Sequence, residues 1–244
     1  MATPRLHSRR GSSIVPWLIG ASIVTLLVFL FLPMLQRGRE PRLRYECRKN
    51  LKQIGLALHN YHDVYGMFPP AHTIDANGRP LHSWRTLLLP FLEHQALYAK
   101  IDLTRPWDDP VNASARETPV AFFACPSLGP KVSNRTSYLG LVGAEACFST
   151  AGSRSRKEFK DGTERTLMVI EVSADQATQW MEPVDADEVL LMGISTNTIP
   201  PHSSGFHALT ADGAVQFLSN ETPAPIRRAM LTIAGDDNAD LRDQ

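Results

Sequence analysis

The side chains with chemical potential are few and scattered. His59, His62 and Asp63 lie three and four residues apart, a spacing that on a helix sets imidazole and carboxylate along one side, as a transition metal would need. They are too few for a centre, and His72, His82, His202 or His207 would have to complete it through folding. Polar packing near a helix end is the plainer account, and no metal or other cofactor is expected. His202 and Asp212, followed by Gly213, form a second constellation. Read as chemistry, the two are an acid–base or ligand pair across a hairpin. Read as structure, Gly213 permits the turn, Asp212 bonds its backbone and His202 fixes the entering loop; this is the expectation. Cys47, Cys125 and Cys147 show no Cys-x-x-Cys spacing and leave an odd one over. One disulfide is possible in an exported domain, its pairing open. The chain has no Gly-x-Ser-x-Gly elbow, no phosphate-binding Gly-rich loop and no His-Glu-x-x-His, so no catalytic residues are assigned and a tethered hydrolase ranks last among the readings.

The elements that must position these groups begin with Ile14 to Leu35, 22 residues without a charged side chain. As a helix they would cover the roughly 30 Å of a bilayer core, inside which a helix is the single-segment answer to unpaired amides. Pro16 falls in the first turn, where its missing N–H costs little, and Trp17 suits an interfacial ring. A cleaved signal peptide would have a shorter apolar region and a small-residue cleavage site. The expectation is a transmembrane helix over 14–35, with the lipid bilayer as its partner.

Net charge is zero, yet residues 1–50 hold nine Lys/Arg against Glu40 and Glu46, leaving the other 194 residues at net −7. The basic charge can meet anionic headgroups, and the acidic body argues against nucleic acid as a partner. Three Arg precede the apolar run and six Lys/Arg follow within fifteen residues, which by the positive-inside count alone would leave the C-terminal domain in the cytoplasm.

Residues 1–13 are polar and 36–42 form a basic juxtamembrane stretch; 43–235 are the domain and 236–244 an acidic tail. Leu43, Cys47, Leu51, Ile54, Leu58, Tyr61 and Tyr65 recur at helical spacing, and the simplest account continues the membrane helix into this stripe as one rod, kinked at Pro41. A turn-rich loop follows at 75–78, then a helix capped by Ser83 and bent or divided at Pro90. Trp84, Phe91 and Trp107 are core candidates. From Val120 the pattern turns to short strands: VAFFAC, TSYLGLVG and TLMVIEV. FHALTADGAVQFL reads as a hairpin. The fold class is α+β, a long N-terminal helix (transmembrane, then amphipathic) packed on an antiparallel sheet.

CRKNLKQIGLALHNYHDVYGMFPP, HSWRTLLLPFLEHQALYAKIDLTRPWDDPVN, FFACPS, TSYLGLVG and KDGTERTLMVIEV resemble, in order and spacing, the bacterial prepilin-like family of domain of unknown function 1559. That family's C-terminal signature, His then nine residues then Asp-Gly, appears as His202, Asp212 and Gly213. The resemblance runs from about residue 43 to 235. It implies a pilin-like domain outside the cytoplasmic membrane and no known reaction. Family members often begin with a prepilin signal; here Arg9, Arg10 and Gly11 survive, but Pro16 stands where the signal carries Glu, and proline cannot supply that carboxylate.

The resemblance decides orientation against the charge count: a single-pass protein of the cytoplasmic (inner) membrane with its C-terminal domain outside. The function expected is a pseudopilin-like envelope protein acting by contacts with envelope, pilus or secretion-type proteins. The alternative is a membrane-tethered ligand- or metal-binding or sensing domain that never assembles into filaments, which the loss of the signal's Glu favours.

Overall fold

The computed structural model describes residues 15–37, 39–127, 134–195 and 197–235. The basic signal at Arg9, Arg10 and Gly11 and the acidic tail at 236–244 lie outside the described residues. The chain forms two units, residues 1–42 and 43–244.

In the first unit, α1 runs Val15–Arg37, with Pro16 in its first turn. Its described side chains run from Trp17 to Leu30, and the large apolar ones among them are exposed, Trp17 at 79% and Phe29 at 73%. Among the described residues no helix is long and apolar enough to cross a membrane. The described side chains of α1 cover about 20 Å of helix axis, short of the roughly 30 Å of a hydrocarbon core. The span expected over Ile14–Leu35 is therefore not found among them.

α2 (Arg39–Tyr65) leads into the second unit, with Pro41 in its first turn. The apolar stripe behaves largely as its spacing predicts. Cys47, Leu51, Ile54, Ala57 and Leu58 are buried, while Tyr61 is half-buried and Tyr65 at the C-terminal end is exposed. The stripe packs on one face of a four-stranded antiparallel sheet, meeting Val169, Leu209 and Val215. Gly55 sets how closely helix and sheet approach: a Cβ there would lie 2.8 Å from Leu209 Cδ1.

The 75–78 loop proves to be the tip of a hairpin, β1 (His72–Ile74) with β2 (Pro80–Ser83), its turn held by Asp75, which accepts from the Asn77 and Arg79 amides at 2.8 and 2.9 Å. Ser83 caps α3 (Trp84–Leu88), accepting from the Arg85 amide at 3.2 Å. Pro90 sits in a 3-10 turn at Leu89–Leu92 that divides α3 from α4 (Gln95–Tyr98); α5 (Ala113–Arg116) follows. VAFFAC is not a strand. Ala121–Phe123 is a 3-10 turn, because the Asn50 amide takes the Ala121 and Ala124 carbonyls at 3.4 and 3.0 Å and Phe123 is drawn into the core beside Trp84 and Trp180. A short apolar run alone does not separate such a turn from a strand.

β3 (Arg135–Thr136) pairs with β6 (Thr178–Gln179) apart from the main sheet. The main sheet has the order β4 (Tyr138–Gly140), β5 (Leu167–Glu171), β7 (Gly205–Thr210), β8 (Val215–Ser219), antiparallel throughout. Its second face is also covered. Leu139, Ile170, Phe206 and Ala208 point there and meet Leu191 of α6 (Glu188–Gly193) and Met230 and Leu231 of α7 (Ala224–Leu231). The fold is thus α+β, with helices on both faces of the sheet where one was expected. Trp84 and Trp107 behave as core and core margin.

A buried cation ties the core together. Arg85 has no exposed side-chain surface and donates to the carbonyls of Trp180 (3.0 Å), Tyr138 (3.2 Å), Glu182 (2.9 Å) and Val184 (2.9 Å). It also meets Asp185 Oδ1 at 2.7 Å, and that same oxygen accepts from Trp84 Nε1 at 3.0 Å and the Gly140 amide at 2.8 Å. Burial pushes the Asp185 carboxyl above its usual value, against the pull of the Arg85 charge and these donors.

Candidate functional site

Four separated pieces of chain converge where β5 ends. Alternation along β5 sends Ile170 to the far face and Val169 to the α2 face, so Glu171, two residues after Val169, also points toward α2. On β7 the same alternation puts His207 beside Leu209 on that side. Antiparallel pairing of Ile170 with Ala208 brings the two polar residues together: Glu171 Oε2 accepts from the His207 amide and from His207 Nδ1, both at 2.8 Å.

His202 reaches the same carboxylate from a turn. Its amide and carbonyl exchange hydrogen bonds with Gly205, each at 3.2 Å, and Ser204 takes a φ of 67° to close the loop. Gly205 is required here by space, since a Cβ would fall 2.1 Å from the Leu218 carbonyl oxygen. The turn sets His202 Nε2 3.2 Å from Glu171 Oε2, both side chains without solvent exposure. His202 Nδ1 lies 3.3 Å from Ser127 Oγ.

The remaining wall is covalent. Cys47 of α2 and Cys125 form a disulfide across 5.3 Å between Cα atoms, within the normal range, and Ser127 Oγ lies 3.7 Å from Cys47 Sγ. The Tyr138 hydroxyl donates to the Cys47 carbonyl at 3.4 Å. Cys147 is the cysteine left over, a buried free thiol whose pKa burial pushes far up. On the outer side the Arg44 guanidinium stacks 4.5 Å over Phe217, whose ring packs 5.3 Å from that of His207.

Burial alone would raise the Glu171 carboxyl, but the hydrogen bonds and charge of His202 and His207 outweigh it and hold the group below the usual carboxylate range. The Tyr138 phenol is driven well above its usual value, first by burial and then by the Glu171 charge. Glu171 Oε1 is buried with no hydrogen-bond partner among the described residues, a costly arrangement for a charged oxygen. Cys47, Cys125, Glu171 and His202 each offer a ligand atom within 4.8 Å of the others. The order Ser127–His202–Glu171 is that of a proton relay, but no substrate can reach the fully covered His202 ring without movement of the loops around it.

The constellations singled out in the sequence fare differently. His202 and Asp212 are not brought together; they lie at opposite ends of β7, six residues long. Asp212 Oδ1 accepts from Thr210 Oγ1 at 2.6 Å and the Ala214 amide at 2.9 Å, and Gly213 adopts a φ of 85°, so that pair builds the turn. His59, His62 and Asp63 do not converge on a common point. His59 Nδ1 lies 2.6 Å from the Arg156 guanidinium, a cation where a metal would have to sit. Both rings pack on Phe68, His59 edge-on at 5.7 Å and His62 tilted at 4.8 Å, and Asp63 is 3.9 Å from His62 Nδ1. Burial, then the Arg156 charge, lowers the His59 pKa. Glu171 and Ser127 were missed in the sequence, and His207 was named there only as a candidate to complete a metal centre with His59 and His62. A signal existed for the first: the acid ends an apolar strand at the same parity as Val169, so it had to be buried and compensated.

No curated protein and no solved structure matches the chain. A family model described as a protein of unknown function (DUF1559) matches residues 36–145, a stretch that contains α2, Cys47, Cys125 and Ser127 but neither Glu171 nor the two histidines. Over that stretch, 36–145, the chain is similar to the proteins of unknown function designated DUF1559.

Proposed function

We propose that this is a membrane-anchored, pseudopilin-like envelope protein whose domain lies outside the cytoplasmic membrane and works through protein contacts. The observation that carries the reading is α1, which exposes Trp17, Leu18, Ile19, Ile23, Val24 and Phe29. A helix apolar on every side belongs in lipid or under other apolar surface. The Cys47–Cys125 bond supports export, because structural disulfides persist in oxidising compartments. Contacts with other proteins are supported by the outward side of α2, where Tyr45, Leu56 and Val64 remain 55–66% exposed. An alkaline phosphatase fused after Gln244 tests the placement. Activity in intact cells, with the fusion resisting carbonate extraction from membranes, is the expected result; a normally expressed but inactive fusion refutes it. Crosslinking the detergent-solubilised chain tests the contacts, and a chain that stays monomeric and captures no neighbour in the membrane refutes that part.

A further inference from the structure

We propose that reduction of the Cys47–Cys125 bond converts the buried cluster into a zinc site, with Cys47, Cys125, His202 and Glu171 as ligands. Their ligand atoms already lie within 4.8 Å of one another, a spread that small side-chain shifts bring to the tetrahedral arrangement of structural zinc. Two thiolates and an imidazole select zinc over magnesium or calcium, which prefer oxygen.

The surroundings match what such a site needs beyond its ligands. Metal-bound imidazoles characteristically give their second nitrogen to a fixed partner. With Nε2 turned to the metal, His202 Nδ1 keeps Ser127 Oγ at 3.3 Å. The carboxylate is likewise held through one oxygen, since His207 bonds Glu171 Oε2 at 2.8 Å. The other oxygen, Oε1, is buried without a hydrogen-bond partner among the described residues, so its lone pairs are not committed elsewhere and can ligate.

The oxidised chain cannot hold the ion, because each sulfur's bonding pair is committed to the other. A dithiol reductant breaks the S–S bond, delivers two electrons and two protons, and closes to its own disulfide. Zinc binding then releases both thiol protons, since only thiolates ligate. Disulfide and zinc are therefore alternative links between α2 and the Cys125 loop, chosen by redox state.

The test uses the full chain in detergent, oxidised or reduced, desalted after exposure to Zn²⁺ or Co²⁺. The reduced chain is expected to retain one zinc per chain and the oxidised chain none. Cobalt in the reduced chain should show thiolate charge-transfer and tetrahedral d–d bands, lost in Glu171→Gln and His202→Ala but kept in Cys147→Ala. Ser127→Ala should weaken binding about tenfold. A reduced chain that retains no metal overturns the proposal, as do cobalt bands indifferent to Glu171 and His202. Should reduction unfold the chain, zinc must refold it; failure to do so is equally fatal to the proposal. Because the oxidised chain carries the anchor and the exposed faces unchanged, a negative result here leaves the membrane placement to its own test.

Discussion

Replacing Arg85 should be among the most damaging single changes in the domain. The side chain is fully covered, and all the contacts described for it are made inside the fold: four carbonyls and Asp185. A guanidinium carries five donors in a planar fork. Arg85→Met fills similar volume but takes the counter-charge from Asp185, whose carboxyl burial already pushes up. It also removes the guanidinium donor from four carbonyls, of which only that of Tyr138 keeps another described side-chain donor, Thr136 Oγ1 at 3.4 Å. Removing one partner of a buried ion pair costs about 3–5 kcal/mol, a large fraction of the roughly 5–15 kcal/mol that holds a typical domain together. Arg85→Lys isolates the geometry from the charge. An ammonium has three donors, so at least two acceptors lose their bond, and about 2 kcal/mol should disappear although the charge is kept. The pair of variants, with Asp185→Asn on the Arg85→Met background, forms a cycle readable by urea unfolding of the detergent-solubilised chain. The double variant should recover part of the loss, since the buried carboxylate is gone. If Arg85→Lys unfolds at the wild-type midpoint, the fork geometry contributes nothing and the reasoning fails.

Two further changes probe other parts of the core. Leu51→Asp puts an unpaired carboxylate between α2 and the sheet, where Leu51 has no exposure, and should lower stability by about 3–5 kcal/mol; an unaltered thermal midpoint would contradict the packing of the stripe. His82 is also fully buried, and burial, opposed by the Arg105 and Asp102 backbone and the Asp102 charge, holds its pKa below the usual histidine value. The folded chain then binds a proton less readily than the unfolded one. His82 accordingly contributes stability above a pH of about 6.5 that is lost as pH falls through its lowered folded value. His82→Phe should flatten the decline of the urea midpoint on acidification from a pH of about 7.5 to about 5; an unchanged slope would assign the decline to other groups.

What the sequence disclosed was whatever a local period or a turn encodes. The α2 stripe follows from spacing, the Asp212-Gly213 turn from backbone chemistry, and the Ser83 cap from a hydroxyl ahead of an apolar run. What it concealed was assembled by sheet register. His207 meets Glu171 only because β7 pairs with β5 at Ala208 and Ile170, and no one-dimensional spacing states which residue of one strand opposes another. VAFFAC misled because its apolar content reflects burial of Phe123 in the core, whereas its backbone answers to Asn50. The short helices α6 and α7 fall outside the segments whose period the sequence displays, and with them the second covered face. His202 was noticed for its distance from Asp-Gly, yet its partners are a strand-end acid and a serine on another loop.

The position of the disulfide has a mechanical consequence. A load arriving along the chain from the N-terminal side enters the second unit at Leu43 and reaches Cys47 about one helical turn later. There the covalent bond carries it across to Cys125, 78 residues further along the chain. Tension is thus shunted past the remaining turns of α2, and the helix is not peeled from the sheet one contact at a time. In the chain-entropy account the same bond restricts the unfolded ensemble by about 4.5 kcal/mol, so a unit that does yield has a short tether for recoiling. A domain wired in this way is a shear clamp at its own doorstep, stiff toward a load applied through the start of α2.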